Sequence, residues 1–216
     1  MAKFKLIVMD CDGVILESVD AKTQAFGKLV EKYGQKAKQK MVDYHLTHGG
    51  VSRFLKFEWF YHEVLGREIT KQEQDELGRL FTQYCFSEVM NSSFVPGAME
   101  FIVLYYEKIS LYVASGAPHE ELIEIIKGRN LMHFFKGVYG SPPTKTEILA
   151  DIVREEGVLP SETLMVGDSS TDLEAATSVG TFFYGRGIEF SSSKWPWAED
   201  LTQLSEYIKN KKDEDI

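Results

Sequence analysis

The chain has 216 residues, 44% hydrophobic and 26% charged, with a formal net charge of −9. That is enough apolar chain for one large domain, or for a main domain with a smaller one beside it. So acidic a surface repels nucleic acid and anionic lipid, and no stretch approaches the ~20 apolar residues that span a bilayer, so neither partner is expected.

The chain opens with Phe4-Lys5-Leu6-Ile7-Val8-Met9-Asp10. A continuous apolar run stopped by Asp and Gly reads as a strand buried on both faces, as in parallel sheets. Similar runs cover residues 109–114, ending at Ser115-Gly116, then 163–166, ending at Gly167-Asp168, and 181–184, ending at Gly185. A less apolar candidate covers 137–140. Amphipathic helical patterns are predicted between them, over 118–127, 146–155 and 171–179. This alternation implies right-handed crossovers and a helix-covered parallel sheet.

The stretch between the first strand and Pro96-Gly97 lacks a buried strand. Its periodicity predicts helices over 21–33, 52–65 and 71–90, with Phe54, Phe57, Phe60 and Tyr61 forming their core. The expected organisation is an α/β core built on a parallel sheet, residues 1–15 and 94–216, with an inserted all-helical cap, residues 16–93. The charged residues 209–215 are expected to fray. Cys11 and Cys85 follow no metal-ligand spacing and read as two free thiols. The run Leu6 to Met9 is too short for a signal peptide, so a cytoplasmic protein is expected. Without a heptad or a long exposed apolar segment, a monomer is favoured.

Four features end strands of this sheet: Asp10-Cys11-Asp12-Gly13-Val14, Ser115-Gly116, Lys145 and Gly167-Asp168 with Asp172. In a parallel sheet they converge at one edge. A carboxylate such as Asp10 can attack phosphorus and form an acyl phosphate that water cleaves. Both reactants are anionic, so a cation must bring them together. Mg²⁺ suits this, with Asp10 and Asp168 as its natural ligand pair. Asp12 lies close enough to act as acid and then base. Lys145 can neutralise phosphate charge, and the Ser115 hydroxyl and Gly116 amide can bind phosphoryl oxygens. Asp172 is expected to support the metal from nearby. Lys136 is a rival to Lys145, but it precedes the third strand.

These four features, in this order, resemble the haloacid dehalogenase superfamily of phosphatases. The position of the helical insertion is similar to that in its phosphoglycolate phosphatases and β-phosphoglucomutases. The resemblance implies a Rossmann-like core, Asp10 as nucleophile, Mg²⁺ as cofactor, and the Asp12 backbone carbonyl as a metal ligand. The segment Gly49-Gly50-Val51-Ser52-Arg53 resembles the Gly-x-Ser-Arg segment of phosphoglucomutase-like caps. It nominates Gly50 and Arg53 for substrate contact, although a helix cap explains Gly and Ser equally well.

The expected function is Mg²⁺-dependent hydrolysis of a small phosphorylated metabolite, a sugar or organic acid phosphate. The alternative is a phosphosugar mutase. Mutase relatives carry a histidine about twelve residues after the nucleophile, where this chain has Lys22. A phospho-accepting signalling module is a remote third reading, because receiver domains are shorter and lack a cap. His45 and His48 lack partners at ligand spacing and read as structural or surface residues.

Overall fold

The computed structural model describes residues 4–211. Six parallel strands form one sheet in the order β3-β2-β1-β4-β5-β6. They are β1 (Leu6–Met9), β2 (Ser110–Pro118), β3 (Gly137–Ser141), β4 (Thr163–Gly167), β5 (Phe182–Arg186) and β6 (Trp197–Ala198). Helices α1 (Val19–Val30), α2 (Gln35–Thr47), α3 (Arg53–Trp59) and α4 (Lys71–Asn91) follow β1 and make the cap. The core helices are α5 (Ala98–Tyr105), α6 (His119–Gly128), α7 (Lys145–Glu156), α8 (Ser170–Val179) and α9 (Leu204–Asn210).

Every residue of β1 is buried, and the strand divides its side chains between two cores. Leu6 and Val8 pack with Met165, Ile148, Leu149 and Ala175 under α7 and α8. Ile7 and Met9 pack with Val113, Leu122, Ile126 and Leu204 on the other face. This is the period-two alternation of a strand with no wet face, which explains its continuous apolar sequence. Met9 pairs with Val113 on one side and Val166 on the other, so β1 and β4 end nearly level while β2 runs on past them. The strand order reverses there, where open α/β sheets bind ligands.

The expected strands and helices are present, with three differences. Residues 52–65 form α3 and then a π-helical turn, Phe60–Val64. Strand β2 runs on to Pro118 through a register shift after Ala114, so Ser115 and Gly116 lie in a bulge inside the strand. Bulges re-aim side chains at such edges. Three helices had no clear sequence pattern. Only Ala37, Met41 and His45 of lysine-rich α2 are buried, α5 is apolar nearly all round, and α9 is short. Of the segment expected to fray, Lys209 and Asn210 close α9, and residues 212–215 lie outside the described residues. Cys11 and Cys85 are both free and buried.

The cap has an aromatic interior. Phe26 stands 4.4 Å from Phe81 and 6.0 Å from Phe57, centroid to centroid. Phe57, Phe60 and Tyr61 are buried and Phe54 packs against them, as the sequence predicts. Phe57→Ala should therefore destabilise the protein by about 3–5 kcal/mol, measured by chemical denaturation. A loss below about 1 kcal/mol would mean that the cap interior is not close-packed.

Candidate active site

A capping box starts α7. Thr144 Oγ1 accepts from Glu147 N, and the Glu147 carboxylate accepts from Thr144 N. Lys145 is thereby the first residue of the helix, directed at the strand edge. Its Nζ donates to Asp10 Oδ2 at 2.5 Å and to Asp172 Oδ1 at 2.6 Å. A second such box starts α8. Asp172 Oδ2 accepts from Ser169 N at 3.2 Å and from Ser169 Oγ at 2.5 Å. The rival Lys136 instead pairs with Glu156, half-exposed.

Asp10, Asp168 and Asp172 present carboxylate oxygens within 4.8 Å of one another. Burial pushes the Asp10 carboxyl up to about 7; Lys145 pulls it down, and Asp172 and Asp12 push it up. Asp168 is raised well above the ordinary carboxylate range by burial and then by Asp10 and Asp172. Its carboxylate lies against Gly13, where a β-carbon would stand 1.9 Å from Oδ2. Asp168 has no hydrogen-bonding or ion-pairing partner among the described residues, and the Asp12 carbonyl accepts no hydrogen bond from them. This all-oxygen donor set, with carboxylates that repel one another and one left without a donor, fits a hard divalent cation. Asp10, the Asp12 carbonyl and Asp168 are the groups available to hold it, with Asp172 beside them.

The Asp12 side chain faces the cap. Its Oδ1 accepts from Ser18 Oγ at 2.5 Å, and its Oδ2 forms an ion pair with Lys22. Burial alone would raise its pKa, but Lys22 and Ser18 outweigh burial and hold it below the ordinary value. Ser115 is buried in the β2 bulge, its Oγ accepting from Ala117 N at 3.2 Å.

Gly50 sits directly over this edge. It has φ +72°, and a β-carbon on it would stand 2.9 Å from Lys145 Nζ and 2.0 Å from Thr171 Oγ1. A β-carbon on Gly116 would stand 2.1 Å from the Gly50 carbonyl oxygen. Two glycines thus let the cap loop touch the core, with Thr171 Oγ1 donating to the Gly49 carbonyl at 3.2 Å. Arg53, the first residue of α3, is buried; it donates to Thr82 Oγ1 at 2.9 Å and forms an ion pair with Glu121. Its guanidinium lies 4.3 Å from the Phe81 ring centroid. Arg53 therefore braces the cap on α6, and it also lines the cavity between cap and core.

That cavity, about 600 Å³, is lined by Asp10, Asp12, Asp168, Ser115, Gly116 and Gly50 among others. A family model for haloacid dehalogenase-like hydrolases matches residues 4–180. The chain belongs to this family. It is 25% identical over 206 residues to a phosphoglycolate phosphatase of Aliivibrio fischeri, covering 88% of this chain and 89% of the relative. It is 26% identical over 220 residues to a phosphoglycolate phosphatase of Haemophilus influenzae, covering 94% and 97%. Its fold is similar to that of a β-phosphoglucomutase from Clostridium difficile, with a TM-score of 0.78, 19% identity and coverage of 95% and 96%.

Two groups that bond the Asp12 carboxylate of this hydrolase had no sequence signal for that role. Ser18 and Lys22 reach Asp12 only through the fold. Lys56 had a readable one: it shares a helical stripe with Arg53, Phe57 and Phe60, and a lysine inside an apolar stripe is unusual. It is buried, and its Nζ is 2.8 Å from His45 Nδ1. His48, by contrast, is exposed and stacks on Tyr44. Burial, then Lys22 and Lys145, lowers the Lys56 pKa from 10.5 to about 7. Between those values the unfolded chain binds the extra proton, so stability contributed by this group rises with pH. Lys56→Met removes the effect. The stability of wild type relative to Lys56→Met should increase as pH rises from about 7 towards 10.5, measured by urea denaturation across that range. A gap that is flat or moves the other way would show that Lys56 is not buried as a strained cation.

Proposed function

We propose that this hydrolase is a Mg²⁺-dependent phosphatase acting on a small phosphomonoester, with Asp10 as nucleophile. The observation that carries this reading is the Asp10 carboxylate, held by Lys145 at a strand end beside Asp168 and Asp172, with Asp12 two residues away. The curated phosphoglycolate phosphatase relatives, matched along most of their length, support a phosphorylated organic acid as substrate. The reading keeps the division into a core, 1–15 and 94–216, and a cap, 16–93.

In the first step an Asp10 oxygen attacks phosphorus, the ester P–O bond breaks, and the leaving oxygen takes a proton from Asp12. In the second, water attacks phosphorus of the aspartyl phosphate and passes its proton to Asp12. Phosphate leaves and Asp10 is regenerated. Lys145, Ser115 Oγ and the Gly116 amide would hold the phosphoryl oxygens. Asp10, Asp168 and the Asp12 carbonyl would hold Mg²⁺, and Asp172 would orient Lys145 beside it. When bound, the cation shields nucleophile from substrate and stabilises charge on the transferring group. Asp12 starts ionised, bound by Lys22 and Ser18, which is the form that accepts a proton from water. It must leave Lys22 and take up a proton to act as the acid. Lys22 stands where the mutase resemblance requires histidine, which supports hydrolysis over phosphate transfer within a sugar.

Asp10→Asn should abolish phosphate release, and a chelator should do the same reversibly, with Mg²⁺ restoring turnover. Retained activity in either experiment would overturn the corresponding assignment. Asp12→Asn should slow alkyl phosphate hydrolysis by roughly 10²–10⁴-fold and p-nitrophenyl phosphate hydrolysis less, since nitrophenolate leaves without a proton. Equal losses on both substrates would exclude Asp12 as the acid.

A further inference from the structure

Three cationic side chains of the cap line the cavity: Lys22, Arg53 and Lys56. Two are already paired, Lys22 with Asp12 and Arg53 with Glu121. Lys56 is 2% exposed and has no carboxylate partner among the described residues. Its hydrogen-bond partner is His45 Nδ1, and its other neighbour is the Phe26 ring, whose centroid lies 5.4 Å from Nζ. His45 offers no counter-charge. Burial and then Lys56 lower its pKa to about 3, so the ring is neutral. A ring whose Nδ1 accepts from Lys56 carries its proton on Nε2, and that atom is buried without a hydrogen-bond partner. The pair therefore has no counter-charge in contact with it among the described residues.

An isolated buried cation is costly, and an anion delivered beside it removes the cost. Lys56 shares the cavity with Asp10 and Asp12 but stands on the cap, where the end of a substrate remote from its phosphoryl group would lie. Phe26, Phe81 and Leu46 line the same space and thin the water, which strengthens a charge pair formed there. The uncommitted charge is single. It matches a monoanion.

We infer that Lys56, oriented by His45, is a specificity-determining residue that binds a carboxylate on the remote end of the substrate. This rests on the phosphatase reading above and gives the acid group of its substrate a binding residue on the cap.

The test uses two probes of similar size, phosphoglycolate, which carries the carboxylate, and 2-hydroxyethyl phosphate, which does not. Their affinities are measured calorimetrically with Mg²⁺ present, in Asp10→Asn protein with and without Lys56→Met. Lys56→Met should weaken phosphoglycolate by about 10- to 100-fold, the range for a charged hydrogen bond, and 2-hydroxyethyl phosphate by less than about threefold. Lys56→Gln, which keeps polarity without charge, should behave like Lys56→Met. The thermal midpoint of Lys56→Met at pH 7 should be no lower than that of wild type, because a buried unpaired charge has gone. Parallel loss of both probes, loss of neither, or a lower midpoint would overturn the assignment and make Lys56 a brace of the cap. The readout needs no turnover, so it is separate from the phosphatase reading, which fails if wild type with Mg²⁺ releases no phosphate from p-nitrophenyl phosphate or from either probe.

Discussion

Three carboxylates meet at the carboxyl edge of the sheet, within 4.8 Å of one another and largely out of water. Their mutual repulsion is the constraint around which the site is organised. Lys145 relieves part of it by bonding Asp10 and Asp172 together. The Ser169 amide and hydroxyl relieve more by holding the second oxygen of Asp172. Each of these donors depends on a helix start, and each helix start depends on a capping box. Local sequence chemistry at Thr144-x-x-Glu147 and Ser169-x-x-Asp172 therefore sets the electrostatics of the centre. Asp168 is left over, with no donor of its own among the described residues, and its pKa is raised first by burial and then by repulsion from Asp10 and Asp172.

The cap answers a different problem. The core side of the cavity is rich in carboxylates and the cap side brings lysines and arginine, so opposed charges face each other across the cavity. Close approach depends on missing side chains: Gly50 passes over Lys145, and Gly116 admits the Gly50 carbonyl. Ion pairing then spans the two parts, with Lys22 of α1 on Asp12 and Arg53 of α3 on Glu121 of α6. These pairs are buried, so their desolvation offsets much of their attraction and their geometry matters more than their strength. The arrangement couples the position of the cap to the groups around Asp10.

The sequence by itself determined the sheet and the residues at its edge. A strand buried on both faces must be apolar throughout, so β1, β2 and β4 announce themselves, and the polar residues that stop them must stand where ligands bind. Asp10, Asp12, Ser115, Gly116, Lys145, Asp168 and Asp172 could be named on that ground; five of them line one cavity, and Lys145 and Asp172 are bonded to each other beside Asp10. Helix α2 escaped notice because a three-residue stripe among lysines gives little periodicity, and α5 because apolar residues all round a helix give none. The register shift in β2 was equally invisible, since a bulge is a mismatch between two strands and not a property of one. Only the tertiary structure decided which charges pair. Lys22 is ten residues from Asp12, Arg53 sixty-eight from Glu121 and Lys145 one hundred and thirty-five from Asp10. Coulombic pairing depends on distance through space and on burial, and neither is written in the spacing along the chain.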